Sequence, residues 1–143
     1  FGNHMSFEIA DSVLTGDLVM GWASSLVSPP DGDLTDFLRS CARLGRLSAR
    51  RFLPGHGAAI EQPKARLDWL VAHRKAREAA ILETLTQAPL DTTEITARVY
   101  ADTPQNLLPA ARRNVLAHLI DLMQKSQVAP VGRLHADAKF ARS

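Results

Sequence analysis

Cysteine, aromatic residues and long apolar runs are all scarce in this sequence of 143 residues, with aromatic residues at 6%. Its one cysteine, Cys41, excludes an internal disulfide, a zinc finger built on paired cysteines and a redox motif of two cysteines. No apolar run approaches the ~18 residues of a membrane-spanning helix, which excludes that class of membrane protein. No secretory signal is visible, so we expect a cytoplasmic protein.

The rest of the composition is that of a folded globular chain. Apolar residues make up 45% and charged residues 22%, which excludes intrinsic disorder and collagen-like repeats. The length allows one ordinary domain, or one and a half small ones. Because the sequence begins at Phe1 rather than at a methionine, we expect a fragment of a longer protein.

Charge is distributed unevenly along the chain. Residues 1–62 carry five Lys and Arg against seven Asp and Glu, whereas residues 63–143 carry twelve against eight. A basic second half suits an anionic partner such as a nucleic acid. A solvated helical surface is the favoured explanation, because the excess of positive charge is small for a nucleic-acid-binding domain.

The first part of the chain predicts a mixed α/β segment. Residues 5–9 alternate apolar and polar side chains and are followed after a turn by residues 12–15, a pattern typical of a β-hairpin. Asp33 is a good helix N-cap before apolar residues at helical spacing. Residues 51–53 predict a short strand, which stops at the Pro-Gly-His-Gly string of residues 54–57.

The second part predicts three helices and a small hairpin, which is the element order of a winged-helix module. A long amphipathic helix begins near Pro63, and Asp91 or Thr92 caps a short helix with Glu94 placed as in a capping box. A third helix covers residues 106–125. The apolar positions predict one core, formed by Ile81, Leu82, Leu85, Ile95, Val99, Val115, Leu119, Leu122, Val128 and Phe140.

Two residues with metal-ligating side chains follow predicted strands. Asp17 comes directly after Gly16, which permits a sharp turn, and His56 lies in the Pro-Gly-His-Gly loop. Asp and His are a natural pair for zinc at bond lengths of about 2.0–2.2 Å, so we expect their donor atoms about 3–5 Å apart on one rim of the sheet. Two ligands do not complete a site, and from spacing alone ordinary turn residues are the favoured interpretation.

Four strings in this sequence resemble a known family when they are taken together and in order. They are TGDLVMGW at 15–22, SPPDGDL at 28–34, PGHG at 54–57 and HRKARE at 73–78. They resemble the second half of a metallo-β-lactamase-fold hydrolase, in particular the subgroup that includes lactamase-beta-like endoribonucleases with a C-terminal winged helix. The resemblance implies an α/β fold, in which residues 1–62 are the second half of an αββα sandwich. Residues 63–143 would then be a connecting helix and a winged-helix-like domain.

The resemblance also implies a pair of metal ligands. In that family two metal ions are held by an HxHxDH motif, a TPGH histidine, a bridging aspartate and a final histidine. Asp17 matches the bridging aspartate and His56 the final histidine, while the other motifs would lie before Phe1. His4 is expected to be a structural neighbour of the site rather than a ligand. A rival interpretation, in which residues 2–5 are a cloning remnant, is disfavoured because the family pattern continues from Phe7 without a break.

The function implied by the resemblance is hydrolysis by a metal-activated water, with two ions in the intact family and zinc as the default metal. Because the chain supplies only part of that site, we expect it to be inactive alone and to hold no stoichiometric zinc. No catalytic residue is predicted beyond the metal ligands. The expected partners are the missing N-terminal half or a second chain, a small-molecule or phosphodiester substrate, and a further copy of the chain as an option, but no membrane. The strands around Phe7, Val13 and Leu14 should present an apolar surface to the missing half.

The second hypothesis is a nucleic-acid-binding winged-helix protein with a vestigial lactamase-like half. Its phosphate contacts would be Arg112 and Arg113 on the third helix, with Arg133, Lys139 and Arg142 on the wing. The wing offers only one aromatic side chain, which gives base stacking little support.

Two further expectations concern helix faces. His73 lies among charged residues, and an ion-paired surface in which Arg74 and Glu78 stand four residues apart is favoured over a phosphate contact or a buried link between modules. Cys41 is expected to pack as a small apolar residue rather than act as a nucleophile.

Overall fold

The described part of the chain folds into a three-stranded sheet, four α-helices and a two-stranded hairpin. The structure is a computed structural model that describes residues 4–135 and 137–143. Gly2 and Asn3, which belong to the stretch considered above as a cloning remnant, lie outside the described residues. Among the residues described, no helix combines the length and the apolar character that crossing a membrane requires. The predicted α/β class is confirmed.

The three-stranded sheet has the order β1–β2–β3. β1 (Phe7–Ile9) pairs antiparallel with β2 (Ser12–Gly16), as the hairpin pattern predicted. β2 pairs in parallel with β3 (Arg51–Pro54). Since the two strands run in the same direction, their carboxyl ends lie at one edge of the sheet.

The two faces of this sheet differ in exposure. Val13 and Phe52 are neighbours across β2 and β3 and are each 1% exposed, whereas Phe7, Leu14 and Leu53 form a cross-strand row that is 37–55% exposed. The predicted apolar surface is therefore confirmed for Phe7 and Leu14 and wrong for Val13. Successive side chains of a strand point to opposite faces, which turns Val13 into the core.

The first core lies between the sheet and two helices. α1 (Leu34–Leu44) begins after Asp33, whose side chain accepts a hydrogen bond from the Asp36 backbone N–H at 2.8 Å, as the sequence predicted. α2 (Pro63–Thr84) has its proline in the first turn, where no backbone N–H is needed. The buried residues of this core are Val13, Val19, Val27, Leu34, Phe37, Cys41, Leu44, Phe52, Ile60, Leu67, Leu70 and Ala117.

The second core is built from the end of α2 and the elements that follow. These are α3 (Thr92–Val99), a 3₁₀ turn (Gln105–Leu107), α4 (Leu108–Gln124), and the antiparallel strands β4 (Val128–Pro130) and β5 (Phe140–Arg142). Every residue of the predicted core is confirmed, with Leu82 and Val99 packed at its margin. Its buried members are Ile81, Leu85, Leu90, Ile95, Val115, Leu119, Leu122, Val128, Ala138 and Phe140.

The centre of α2 does not form the predicted ion-paired surface. Arg74 is only 2% exposed, and Glu78 pairs at 2.8 Å with Lys125, the residue that follows α4. The expectation is wrong because α2 passes between the two cores, contributing Leu70 to the first and Ile81 to the second. The predicted boundary after residue 62 stays a prediction, since one helix serves both cores.

Candidate metal centre

Asp17 and His56 lie side by side where β2 and β3 end. The His56 Nδ1–H donates a hydrogen bond of 2.7 Å to Asp17 Oδ1. The prediction that both residues share one rim of the sheet is confirmed, and parallel pairing is the reason. Their separation is shorter than predicted, because the imidazole and the carboxylate bond to each other directly.

The backbone around this pair is closely fitted. Gly16 has a φ of +52°, a conformation that side chains other than glycine rarely adopt, and the Gly55 N–H donates to the Gly16 carbonyl at 3.1 Å. A Cβ added at Gly55 would stand 3.0 Å from Asp17 Oδ1. The two loops therefore approach each other at glycines, which leaves room for the carboxylate between them.

His4 contacts the turn that leads into Asp17. Its Nε2–H donates to the Thr15 carbonyl at 3.0 Å, and its ring covers Gly16 so closely that any Cβ there would overlap it. The side chain thus touches the two residues that immediately precede the carboxylate. This contact accords with the expected role of His4 as a structural neighbour of the site.

The segment of residues 17–27, called here the Asp17 loop, is held from inside the molecule. Ser25 Oγ lies 2.7 Å from the Asp17 carbonyl and 2.8 Å from the Leu18 carbonyl, and donates to them. Arg66 of α2 donates from Nε to Met20 O and from Nη2 to Ala23 O, both at 2.7 Å. The loop is therefore fixed by side-chain donors rather than by a neighbouring strand.

Local sequence patterns do not reveal these holding residues. Asn114 of α4 also holds the loop, because its Oδ1 accepts a hydrogen bond from the Val27 backbone N–H at 3.2 Å. No motif or spacing marks Ser25, Arg66 or Asn114 as a group that binds the loop. The one usable signal is Arg74, which donates to the Ser25 carbonyl and to Asn114 Oδ1. It falls within the apolar stripe of the long helix, so its side chain must be buried or turned aside. Nothing near it in the sequence points to its acceptors, because Ser25 and Asn114 lie 49 and 40 residues away along the chain.

The described residues bring together two side chains of a metal-ligating type, Asp17 and His56, and not a full set of ligands. Among them, no group of three or more His, Cys, Asp and Glu side chains is placed to hold a metal ion. Burial raises the pKa of the Cys41 thiol to about 11, so the thiol is protonated at neutral pH. Its expected role as a small apolar core residue is confirmed.

A second polar cluster lies between α1 and α4. Asp121 is buried, accepts a 2.6 Å hydrogen bond from Thr35 Oγ1 and pairs with Lys125 at 2.7 Å. Burial alone would raise the pKa of Asp121, but the hydrogen bonds from Lys125 and Thr35 hold that pKa below its usual value. The ion pair thus lies at the end of α4, and the hydrogen bond from Thr35 ties this end of α4 to α1.

The residues of the nucleic-acid hypothesis are mostly engaged within the chain. Arg113 donates to Ser28 Oγ and, at 3.1 Å, to Pro29 O, and Arg112 donates to Thr92 Oγ1 at 3.0 Å. On the wing, Lys139 stands 3.6 Å from Glu94, and Arg133 and Arg142 are exposed. Arg113 therefore fixes the loop of Ser28 and Pro29, and Arg112 contacts the first residue of α3.

Comparison with known proteins identifies the second core first. Residues 92–137 match the family model described as the beta-lactamase associated winged helix domain. This match covers α3, the 3₁₀ turn, α4 and β4. The winged-helix order predicted from the sequence is confirmed.

The chain is also similar to curated proteins. It is 31% identical over 120 residues to the beta-lactamase-like protein 2 homolog of Drosophila melanogaster, covering 82% of this chain and 40% of that protein. The homolog of Caenorhabditis elegans is 30% identical over 105 residues, covering 73% and 34%. A lactamase-like protein of Penicillium aethiopicum, vrtG, is 28% identical over 119 residues, covering 76% and 38%. The chain thus spans about two fifths or less of these relatives.

Two solved structures share the fold. A metallo-beta-lactamase family protein from Thermus thermophilus superposes with a TM-score of 0.79 at 28% identity, over 93% of this chain and 42% of that one. A beta-lactamase domain protein from Burkholderia ambifaria gives 0.81 at 22% identity, over 92% and 41%. This chain therefore belongs to the metallo-β-lactamase superfamily and carries its associated winged helix domain.

Proposed function

We propose that this chain supplies one side of the metal centre of a metal-dependent hydrolase, with Asp17 and His56 as ligands and zinc as the ion. The observation that carries the proposal is the adjacent carboxylate and imidazole at the edge where β2 and β3 end together. The chemistry that zinc supplies when bound is a water of lowered pKa for attack on the substrate.

The donor set fits zinc in type and in placement. A carboxylate and an imidazole are ordinary zinc ligands. Both side chains reach solvent, since Asp17 is 46% and His56 71% exposed. Two donors leave a site open, and we propose that the remaining ligands come from a segment that carries the HxHxDH and TPGH motifs.

Within the pair, Asp17 orients His56. With Nδ1–H donating to the carboxylate, Nε2 is the ring nitrogen that keeps a lone pair for a metal. Asp17 keeps its second carboxylate oxygen for the same purpose. The short contacts at Gly16 and Gly55 fix both strand ends, so neither donor has to be ordered when a ligand binds.

The other half of the hydrolase domain is the partner that we propose for the exposed sheet face. The row of Phe7, Leu14 and Leu53, with Ile9 at 58% exposure beside it, is an apolar surface on the strands that carry the site. The chain covers 40% of its Drosophila melanogaster relative, so that protein has ample further sequence to cover such a face. A cytoplasmic location and a small-molecule or phosphodiester substrate complete the proposal.

The test compares ligand variants in the two-half protein, meaning this chain joined to the segment with the HxHxDH and TPGH motifs. We expect Asp17→Ala to lower hydrolysis of a chromogenic phosphodiester by about 100-fold or more, and His56→Ala to lower it by about tenfold. The aspartate should matter more because a bridging carboxylate serves two ions. Zinc content after dialysis, measured by elemental analysis, should fall in the same order.

Asp31→Ala is the matched control, since Asp31 is an exposed aspartate in the turn that precedes α1. It should keep zinc and activity. Unchanged zinc content and activity in Asp17→Ala would remove the bridging role. Elemental analysis of the 143-residue chain alone should find no stoichiometric zinc, and one tightly held ion per chain would contradict the half-site assignment.

The nucleic-acid hypothesis gains no specific observation from the fold. Arg112 and Arg113 donate to groups of this chain, which leaves the phosphate contacts to the wing. Salt-dependent binding of short RNA to the chain would revive it, and no binding at low salt would remove it.

A further inference from the structure

The Asp17 loop is linked to the winged helix by a line of buried polar groups. Ser25 stands at one end, where its hydroxyl has one proton to share between the carbonyls of Asp17 and Leu18. The side chain is 7% exposed, so water offers little competition for either bond. The backbone of the proposed metal ligand is thus bonded to a residue eight positions away.

Arg74 continues the line from Ser25 to α4. Its guanidinium donates through Nη2 to the Ser25 carbonyl and through Nη1, at 3.1 Å, to Asn114 Oδ1. Asn114 Oδ1 also accepts a 3.2 Å hydrogen bond from the Val27 backbone N–H. Both ends of the Asp17 loop are therefore tied to one asparagine of the winged helix, with Arg74 as the bridge.

The guanidinium of Arg74 is buried and is hydrogen-bonded to uncharged acceptors. The side chain is 2% exposed, and its guanidinium lies 5.2 Å from the centre of the Phe37 ring. Its hydrogen-bond partners are a backbone carbonyl and a side-chain amide oxygen. Arg74 takes part in none of the ion pairs of the described residues. Burying a charge without a counter-ion is costly, so its bonds to the loop and to Asn114 must offset that cost.

We propose that Arg74 and Ser25 are positioning residues for Asp17, through which the winged helix holds the metal-binding loop in place. The winged helix then contributes to the site indirectly, by restricting the backbone of Asp17 through these buried hydrogen bonds. The inference rests on the proposed function, because it takes Asp17 to be a metal ligand.

The test measures backbone hydrogen exchange by NMR in the 143-residue chain. In Ser25→Ala and Arg74→Met, we expect the amides of Leu18 and Val27 to exchange about tenfold faster, the change expected from losing one hydrogen bond. The amides of Ile95 and Phe140, bonded within the second core, should exchange as before. Ser25→Ala keeps the test valid if Arg74→Met does not fold.

Arg77→Met is the matched control. Arg77 lies on the same helix, donates to Val99 O at 2.8 Å and stacks on Tyr100 at 4.4 Å, and both partners belong to the winged helix. It should leave Leu18 and Val27 unchanged. Unchanged exchange at both amides in Ser25→Ala, or equal acceleration in Arg77→Met, overturns the proposal.

A second measurement separates this inference from the proposed function. In the two-half protein, Ser25→Ala should retain less zinc after dialysis than the parent, and Arg77→Met should retain the same amount. If Asp17→Ala keeps its zinc, the proposed function fails, while hydrogen exchange still decides whether the winged helix holds the loop. If Asp17→Ala loses zinc and Ser25→Ala does not, the positioning role is wrong.

Discussion

The buried charge of Arg74 affects the protonation of the side chains around it. Burial lowers the pKa of its guanidinium, yet an arginine stays charged at any pH at which the protein folds. A fixed positive charge in a dry region disfavours a second one nearby. His118, 1% exposed on α4, is the neighbour that bears this cost. Neither of its ring nitrogens has a hydrogen-bond partner among the described residues.

This arrangement predicts a loss of stability in weak acid. Burial, and then the charge of Arg74, lower the pKa of His118 from 6.5 to about 4. Below pH 6.5, His118 binds a proton in the unfolded chain but stays neutral in the folded chain. The free energy of unfolding therefore falls as the pH falls toward 4. We expect a loss of roughly 2–3 kcal/mol between about pH 7 and pH 4.5, measured by urea denaturation.

His118→Leu should remove most of this pH dependence and leave stability at neutral pH equal or higher, because it replaces an unpartnered buried ring. His135→Gln, which changes an exposed histidine of the wing, should keep the dependence of the parent chain. An equal acid loss in His118→Leu and the parent would show that another group is responsible.

Each α-helix of the described chain begins either at a capping aspartate or with a proline in its first turn, a residue that lacks an N–H group. α2 uses Pro63, whereas α3 uses a capping box in which Asp91 accepts from the N–H groups of Thr93 and Glu94 at 2.8 and 2.9 Å. Glu94 in turn accepts from the Asp91 N–H at 2.9 Å. A helix of eight residues has few internal hydrogen bonds, so its start depends strongly on such a cap.

Asp91→Ala should therefore destabilise the chain by about 1 kcal/mol, a typical cost for a lost cap. Urea denaturation at neutral pH measures it. Asp91→Asn should restore most of the loss, because an amide oxygen caps as a carboxylate does. Asp102→Ala, an exposed aspartate beyond the end of α3, is the control and should change little. If Asp102→Ala lowered the free energy of unfolding as much as Asp91→Ala does, the cap would not be the cause of the loss.

At the scale of the whole molecule, local signals predicted the elements and missed how they are joined. Caps, prolines and apolar spacing placed the helices and strands, and parallel strand ends brought Asp17 to His56. The predicted ion pair of Arg74 and Glu78 was wrong. Opposite charges four residues apart on a helix indicate a solvent-facing pair only if no other segment covers that face of the helix. The covering segment here includes Ser25, and contacts of that range leave no trace in local spacing.

The sharing of α2 by both cores predicts how the whole chain unfolds. Both tryptophans, Trp22 and Trp69, lie in the part of the chain that builds the first core, whereas far-ultraviolet circular dichroism reports all the helices. We expect thermal unfolding followed by the two signals to coincide within about 2 °C, as in a two-state transition. One continuous helix and the Arg74 bridge oppose the melting of either core alone.

Arg74→Met should break this coincidence. The first core then loses the Arg74 link to Asn114 and keeps the bond from the Val27 N–H. The fluorescence midpoint should therefore fall by about 4–8 °C, while circular dichroism shows a second, later step from the winged helix. Arg77→Met should lower both midpoints together, because its bond to Val99 lies within the second core. Two separate transitions in the parent chain would mean that the cores fold independently and that α2 does not couple them.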